Sequence, residues 1–251
     1  MRYDFTDKIA LVTGAGHGLG RAIALAFAEL RAEVFALDLT DDLAETARAA
    51  GEHCHPKRLD VTDRDAVHAL VAEVERSHGP VAILVNCAGG VRGQVGRPLE
   101  QITPADWHSI VDANLAGAFW CSQAVAPTMK AQGYGRIVNI SSRAGLATSL
   151  TGIQAYASAK AGLIGLTRQL GHELGPFGIT VNSIAPGFIR SNPTTERQWE
   201  AMGQDGQARL VESIALKRLG TPADIVHGVL FFASEFASWI TGQVLSIDGG
   251  R

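Results

Sequence analysis

The strongest constraint on this chain is an alternation. Short apolar runs at 9–13, 34–37, 57–61, 81–86, 136–141, 179–184 and 244–247 read as strands. Between most of them lie stretches with apolar residues at helical spacing, at 19–30, 43–50, 65–76, 104–130 and 154–174. Apolar strands that barely alternate belong to a sheet buried on both faces, and amphipathic helices are what cover it. The expected fold is α/β, a doubly wound parallel sheet with helices on both sides. The 251 residues contain no tandem repeat or low-complexity linker, so residues 1–251 are expected to form one domain.

Composition narrows the function. With 46% hydrophobic and 19% charged residues and a net charge of −3, the chain lacks the basic footprint of a nucleic-acid or anionic-membrane binder. No apolar span approaches the roughly 20 residues of a membrane helix. Residues 1–8 include Asp4 and Asp7 and do not read as a secretion signal. Cys54, Cys87 and Cys121 are widely spaced and fit reduced thiols in a cytoplasm. His53-Cys54-His55 superficially resembles a metal tripeptide, but alternation in an extended segment sends Cys54 to the opposite face, so no metal site is expected.

The first strand runs into Thr13-Gly14-Ala15-Gly16-His17-Gly18-Leu19-Gly20. Glycines there let the backbone turn tightly, and the helix that follows offers N–H groups to a pyrophosphate. The next strand ends at Asp38, whose carboxylate can accept hydrogen bonds from an adenosine ribose and would repel a 2′-phosphate. NAD is therefore expected rather than NADP. Further on, Tyr156 and Lys160 stand four apart in a helical pattern and share a face. A nearby ammonium favours the phenolate and makes tyrosine usable as a proton-transfer group.

Together these features resemble the short-chain dehydrogenase/reductase family over essentially the whole chain. Its glycine signature matches Thr13 to Gly20, its Asp-Val pair Asp60-Val61, and its Asn-Asn-Ala-Gly signature Asn86-Cys87-Ala88-Gly89, with cysteine at the second position. Its asparagine, serine and Tyr-x-x-x-Lys match Asn114, Ser142, Tyr156 and Lys160. Its Pro-Gly motif matches Pro186-Gly187, and its C-terminal strand signature matches residues 246–250.

The resemblance implies a single Rossmann-like domain and an enzyme that moves hydride between a carbinol carbon and a nicotinamide. Tyr156 would handle the proton, Lys160 would tune it and hold the nicotinamide ribose, and Ser142 would fix the substrate oxygen. Asn114 would hold a water linking Lys160 to solvent; a satisfied buried asparagine is the other reading. The implied cofactor contacts are Gly14, His17, Gly18, Leu19, Gly20, Asp38, Leu39, Asp60, Val61, Asn86, Ala88, Gly89, Tyr156, Lys160, Pro186, Gly187, Ile189 and Ser191.

The substrate should meet the segment 90–99 and a polar lid at about 188–215. Arg92, Arg143 and Arg190 in or beside these segments suggest a small polar, carboxylate-bearing substrate such as a sugar acid or hydroxy acid, or else a sugar or polyol. Ion pairing, for instance with Glu196, would account for the arginines equally well. Small residues in 104–130 and 154–174 suggest helix-mediated oligomers, a dimer of dimers by resemblance. A 3-oxoacyl-thioester reductase is the alternative within the class, and a catalytically silent nucleotide-binding scaffold or sensor the alternative outside it.

Overall fold

The computed structural model describes residues 3–149 and 151–251. Among them, strands β1 (Ile9–Thr13), β2 (Glu33–Asp38), β3 (Cys54–Arg58), β4 (Val81–Asn86), β5 (Gly135–Ile140), β6 (Ile179–Pro186) and β7 (Val244–Ile247) form one sheet. Their order is β3-β2-β1-β4-β5-β6-β7, with every neighbouring pair parallel. The sequence of connections reverses between β1 and β4, and the carboxyl ends there open the crevice where doubly wound folds take ligands.

Strand alternation sends side chains to two cores. Ala10 and Val12 of β1 pack with Ile23 and Phe27 of α1 (Gly18–Glu29) and with Ile225 and Val229 of the last long helix. Ile9 and Leu11 face the other way, onto Val67 and Val71 of one helix and Cys121, Val125 and Leu170 of two more. All residues of β1, β4, β5 and β6 are buried, which is why their sequences read as nearly unbroken apolar runs.

The remaining helices are α2 (Leu43–Ala50), α3 (Arg64–His78), α4 (Pro104–Val111), α5 (Gly117–Gln132), α6 (Gln154–Leu174), α7 (Pro193–Ala201), α8 (Gly203–Glu212) and α9 (Pro222–Ala233). The expected helix 104–130 begins at Thr103 with the capping box its sequence signals, Thr103 and Asp106 bonding each other's backbone. It is interrupted at Asp112–Ala116 by a widened π turn.

The third strand differs from its expected place at 57–61. The pairing covers Cys54–Arg58 against Val34–Asp38, and Leu59 and Val61 are buried in the segment leaving the strand. Pro56 is tolerated because β3 is a sheet edge. Cys54 is buried while His53 and His55 both grip Glu33, at 2.6 and 2.8 Å. The two imidazoles, His55 foremost, hold the Glu33 carboxyl below its ordinary range. Among the described residues no cluster of three such side chains could hold a metal, and no helix is long and apolar enough to cross a membrane.

Candidate active site

Four segments converge at the carboxyl ends of β1, β4, β5 and β6, each held by identifiable bonds. The glycine-rich turn after β1 is pinned from every side. Thr13 Oγ1 accepts the N–H groups of Cys87 and Ala88, both at 3.0 Å, which ties the turn's start to the end of β4. Arg21 donates to the Gly16 carbonyl through Nε at 3.0 Å and Nη2 at 2.6 Å, and the Thr46 hydroxyl donates to Ala15 O at 2.8 Å. Arg21 and Thr46 escaped the sequence reading, since neither lies in a recognisable spacing.

Asp38 closes the far side. Its Oδ2 accepts the Gly16 N–H at 2.9 Å, and its Oδ1 accepts those of Leu39 and Thr40 at 2.7 and 3.1 Å. A carboxylate has about four acceptor positions, so one stays open for a ligand hydroxyl.

This turn fits a dinucleotide. The helix α1 starts after His17 with no side-chain cap and no acidic residue in its first turn, so its N–H groups meet no competing carboxylate. The glycines pare the surface to backbone: a Cβ on Gly16 would come within 2.4 Å of Thr40 Oγ1. Gly18 faces Ser191, whose carbonyl would lie 3.2 Å from an added Cβ, so the segment after β6 lies over the turn. Ile189 of that segment is buried and bridges to Gly220. Asp60 accepts both the N–H and hydroxyl of Thr62, and Val61 packs where Gly117 leaves room.

The asparagine of β4 stands apart. Asn86 turns into the sheet, donating to Asn139 Oδ1 at 2.8 Å, and Asn139 donates in turn to the Thr167 hydroxyl. Its network joins β4, β5 and α6 rather than lining the crevice. Gly89 has a φ of +138°, and a Cβ there would meet Asn114 Oδ1 at 2.3 Å. That close approach serves Asn114, which sits in the π turn and is 1% exposed. Its amide donates to Gly90 O at 2.9 Å and Ile110 O at 2.8 Å, and its carbonyl accepts Gly90 N–H at 2.9 Å. Asn114 is a clamp on Gly90 in this structure.

Ser142 follows β5 in extended backbone, its hydroxyl accepting the Ala144 N–H at 3.1 Å. Its neighbour Ser141 points into the protein and donates to Lys160 O at 2.9 Å. A Cβ on Gly145 would strike the Lys160 backbone at 2.7 Å, so the Ser142 turn packs directly on α6. There Tyr156 is half-buried and Lys160 is 4% exposed, its Nζ 5.6 Å from the Tyr156 ring centre. The ammonium donates to Ile140 O at 2.8 Å.

The electrostatics depart from the expectation that Lys160 lowers the tyrosine pKa. Burial pushes the Tyr156 phenol up, and a hydrogen bond from Ser142 pulls it part of the way back. Burial brings the Lys160 ammonium down to about 8. A helix face can be read from spacing, but the desolvation of both groups is a tertiary property.

Of the three arginines, two are engaged. Arg190 forms a forked pair with Glu196, at 2.7 and 3.0 Å, and lies over Trp199. Arg143 donates to Arg251 O at 3.1 Å beside Asp248. Arg92 is exposed, with a φ of +44°.

The glycine turn, the carboxylate ending β2 and the serine, tyrosine and lysine beneath one crevice describe a dinucleotide-dependent oxidoreductase. Comparison with known proteins agrees. A family model described as Enoyl-(Acyl carrier protein) reductase matches residues 14–251. The chain is 38% identical over 247 residues to the 3-oxoacyl-[acyl-carrier-protein] reductase FabG of Thermotoga maritima, covering 97% of each. It superposes on levodione reductase with a TM-score of 0.91 at 32% identity, covering 98% of this chain and 97% of that one. A putative gluconate dehydrogenase from Agrobacterium tumefaciens gives 0.90 at 30%, with 98% and 96% covered. The chain belongs to the short-chain dehydrogenase/reductase family, and it is an oxidoreductase of the alcohol dehydrogenase/carbonyl reductase type.

Proposed function

We propose that this enzyme interconverts a secondary alcohol and a ketone on a small polar substrate, with NAD as the hydride carrier. The observation that carries the reading is the grouping of Ser142, Tyr156 and Lys160 after β5, at the same end of the parallel sheet as the pinned, uncapped glycine turn after β1. A nicotinamide bound there would exchange hydride with the carbinol carbon. Ser142 holds the substrate oxygen by hydrogen bond as charge develops on it. Tyr156, its pKa raised by burial, keeps its proton at neutral pH and releases it to the developing alkoxide. The charged form of Lys160 stabilises the phenolate left behind. Asn114 holds Gly90 and with it the root of the segment that meets substrate. Residues 188–215, mostly the short helices α7 and α8, would close over the ligand.

Offering oxidised cofactors with sugar acids, hydroxy acids and polyols, and reduced cofactors with ketones and acetoacetyl thioesters, tests the reading by nicotinamide absorbance. NADPH-linked reduction of thioesters alone would replace it with a second reading, that of a 3-oxoacyl-thioester reductase. The FabG relative favours that second reading. Two engaged arginines turn the balance toward neutral polar substrates over anionic ones.

Asp38 supplies the case for NAD. Asp38→Asn removes the charge that repels a 2′-phosphate and weakens the grip on ribose. A charge-assisted hydrogen bond is worth about 2 kcal/mol, so the NAD-over-NADP ratio of kcat/KM should fall about 30-fold. An unchanged ratio would show that the carboxylate does not read the cofactor.

The small-residue faces of α5 and α6 carry the oligomer reading. Val111, Leu115, Phe119, Trp120, Gly162 and Leu166 line an open apolar groove suited to a second copy. A Cβ at Gly165 meets nothing within 4 Å, so Gly165→Arg leaves this chain's own packing intact while blocking the face. We expect that variant to sediment at half or less of the wild-type mass with unchanged circular dichroism. A wild-type mass would place the interface elsewhere. The proposed assembly is a cytoplasmic dimer of dimers.

A further inference from the structure

The segment between Gly90 and Arg97 holds a side chain that no step above uses. Gln94 is 1% exposed, yet neither its Nε2 nor its Oε1 has a hydrogen-bond partner. Buried amides are almost always paired, and an unpaired one costs the full desolvation of both its groups. Gln154 adds a third atom. Its Nε2 donates to Arg97 O at 3.2 Å, which fixes the orientation of its amide and leaves the buried Oε1 unpaired.

The two glutamines stand on segments that are stitched together. Gly96 N–H donates to Thr151 O at 2.8 Å, and Gly152 packs so closely on Gly96 that a Cβ would reach its Cα at 2.9 Å. One end of this pair of segments is Gly90, clamped by Asn114; the other runs into Tyr156, two residues beyond Gln154. The two glutamines therefore stand on joined segments that run from the Asn114 clamp to the start of the helix bearing Tyr156.

We propose that Gln94, with Gln154, reads a hydroxyl group on the substrate remote from the reacting carbon. The inventory of unpaired atoms selects the group. The Gln94 amide nitrogen, with its two N–H donors, and the two carbonyl oxygens complement a hydroxyl, which both accepts and donates. A carboxylate or thioester carbonyl has no proton to offer and would face two carbonyl oxygens. The inference rests on the alcohol–ketone reading and deepens it: the substrate is a hydroxylated ketone or its polyol.

Reduction of 4-hydroxy-2-butanone and of 2-pentanone tests this, because the two differ by a hydroxyl in place of a methyl. In wild type the hydroxyketone should be preferred. Gln94→Met, of similar shape but unable to bond, should lower the ratio of the two kcat/KM values about 10-fold, mainly through KM. Because it also removes two unpaired polar atoms, the ligand-free variant should melt above wild type. Gln94→Leu also lacks both donor and acceptor and is smaller; it should lower the ratio as well, and it serves if the methionine variant does not fold. A ratio unchanged in a folded variant overturns the proposal and assigns Gln94 to buried water, leaving the alcohol–ketone reading intact. Wild type inactive on both ketones but active on thioesters overturns both.

Discussion

Tyr156→Phe is expected to lower turnover about a thousandfold while leaving the fold and cofactor binding in place. The range for a positioned acid or base is about 10² to 10⁴, and here the group is placed for little else. Its ring, carried in the first turn of α6, lies beneath Lys160, a placement that phenylalanine preserves. Wild-type turnover in a folded Phe variant would remove Tyr156 from the mechanism. The pH profile carries a second, independent mark. Burial holds the phenol protonated, so the reductive direction starts with its proton in hand. Lys160 is charged below about 8 and supports the phenolate as it forms. Ketone reduction should therefore be supported below about 8 and decline as pH rises through it, as the lysine loses its proton. A reductive rate that climbs through that range would contradict the assignment.

That tyrosine and lysine share a face was legible from their spacing, as were the strand order's ingredients. β1, β4 and β7 begin and end where their apolar runs do. The third strand lies earlier than its apolar pattern suggests: Leu59 and Val61 are buried beyond the ladder, while Cys54–Arg58 pair with β2 and Glu33 holds both histidines. The helix α9 carries Thr221-Pro222-x-Asp224, the same start signal as Thr103-Pro104-x-Asp106, and could have been found by it. α7 and α8 are polar and short, so periodicity had little to register.

Within the site the illegible parts share a cause: each depends on a partner distant in sequence. The turn of Ser141 away from Ser142, the clamp of Asn114 on Gly90 and the diversion of Asn86 into the sheet all depend on residues 19 or more positions away. Gln94 is the extreme case, since what marks it is the absence of a partner in the fold.

Gly20→Ala should destabilise the enzyme by about 3 kcal/mol and weaken cofactor binding, although local propensity predicts the opposite sign. Gly20 is the third residue of α1, where alanine normally gains up to about 1 kcal/mol over glycine. Here its Cβ would lie 2.0 Å from Gly14 O and 2.6 Å from the carbonyl carbon, and backbone has to yield. The turn has nowhere to retreat. Gly14 already abuts Ala88, Thr13 holds the N–H groups of Cys87 and Ala88, and Arg21 and Thr46 hold the carbonyls of Gly16 and Ala15. The helix must move instead, and it anchors Ile23, Ala24 and Phe27, all fully buried. Lifting it loosens that core and displaces the first-turn N–H groups that would meet a bound pyrophosphate. Thermal unfolding should show a fall in Tm of about 6 to 12 °C, and titration with NAD a weaker Kd. If the variant melts above wild type, propensity has won, and the close approach of helix to turn does not hold in solution.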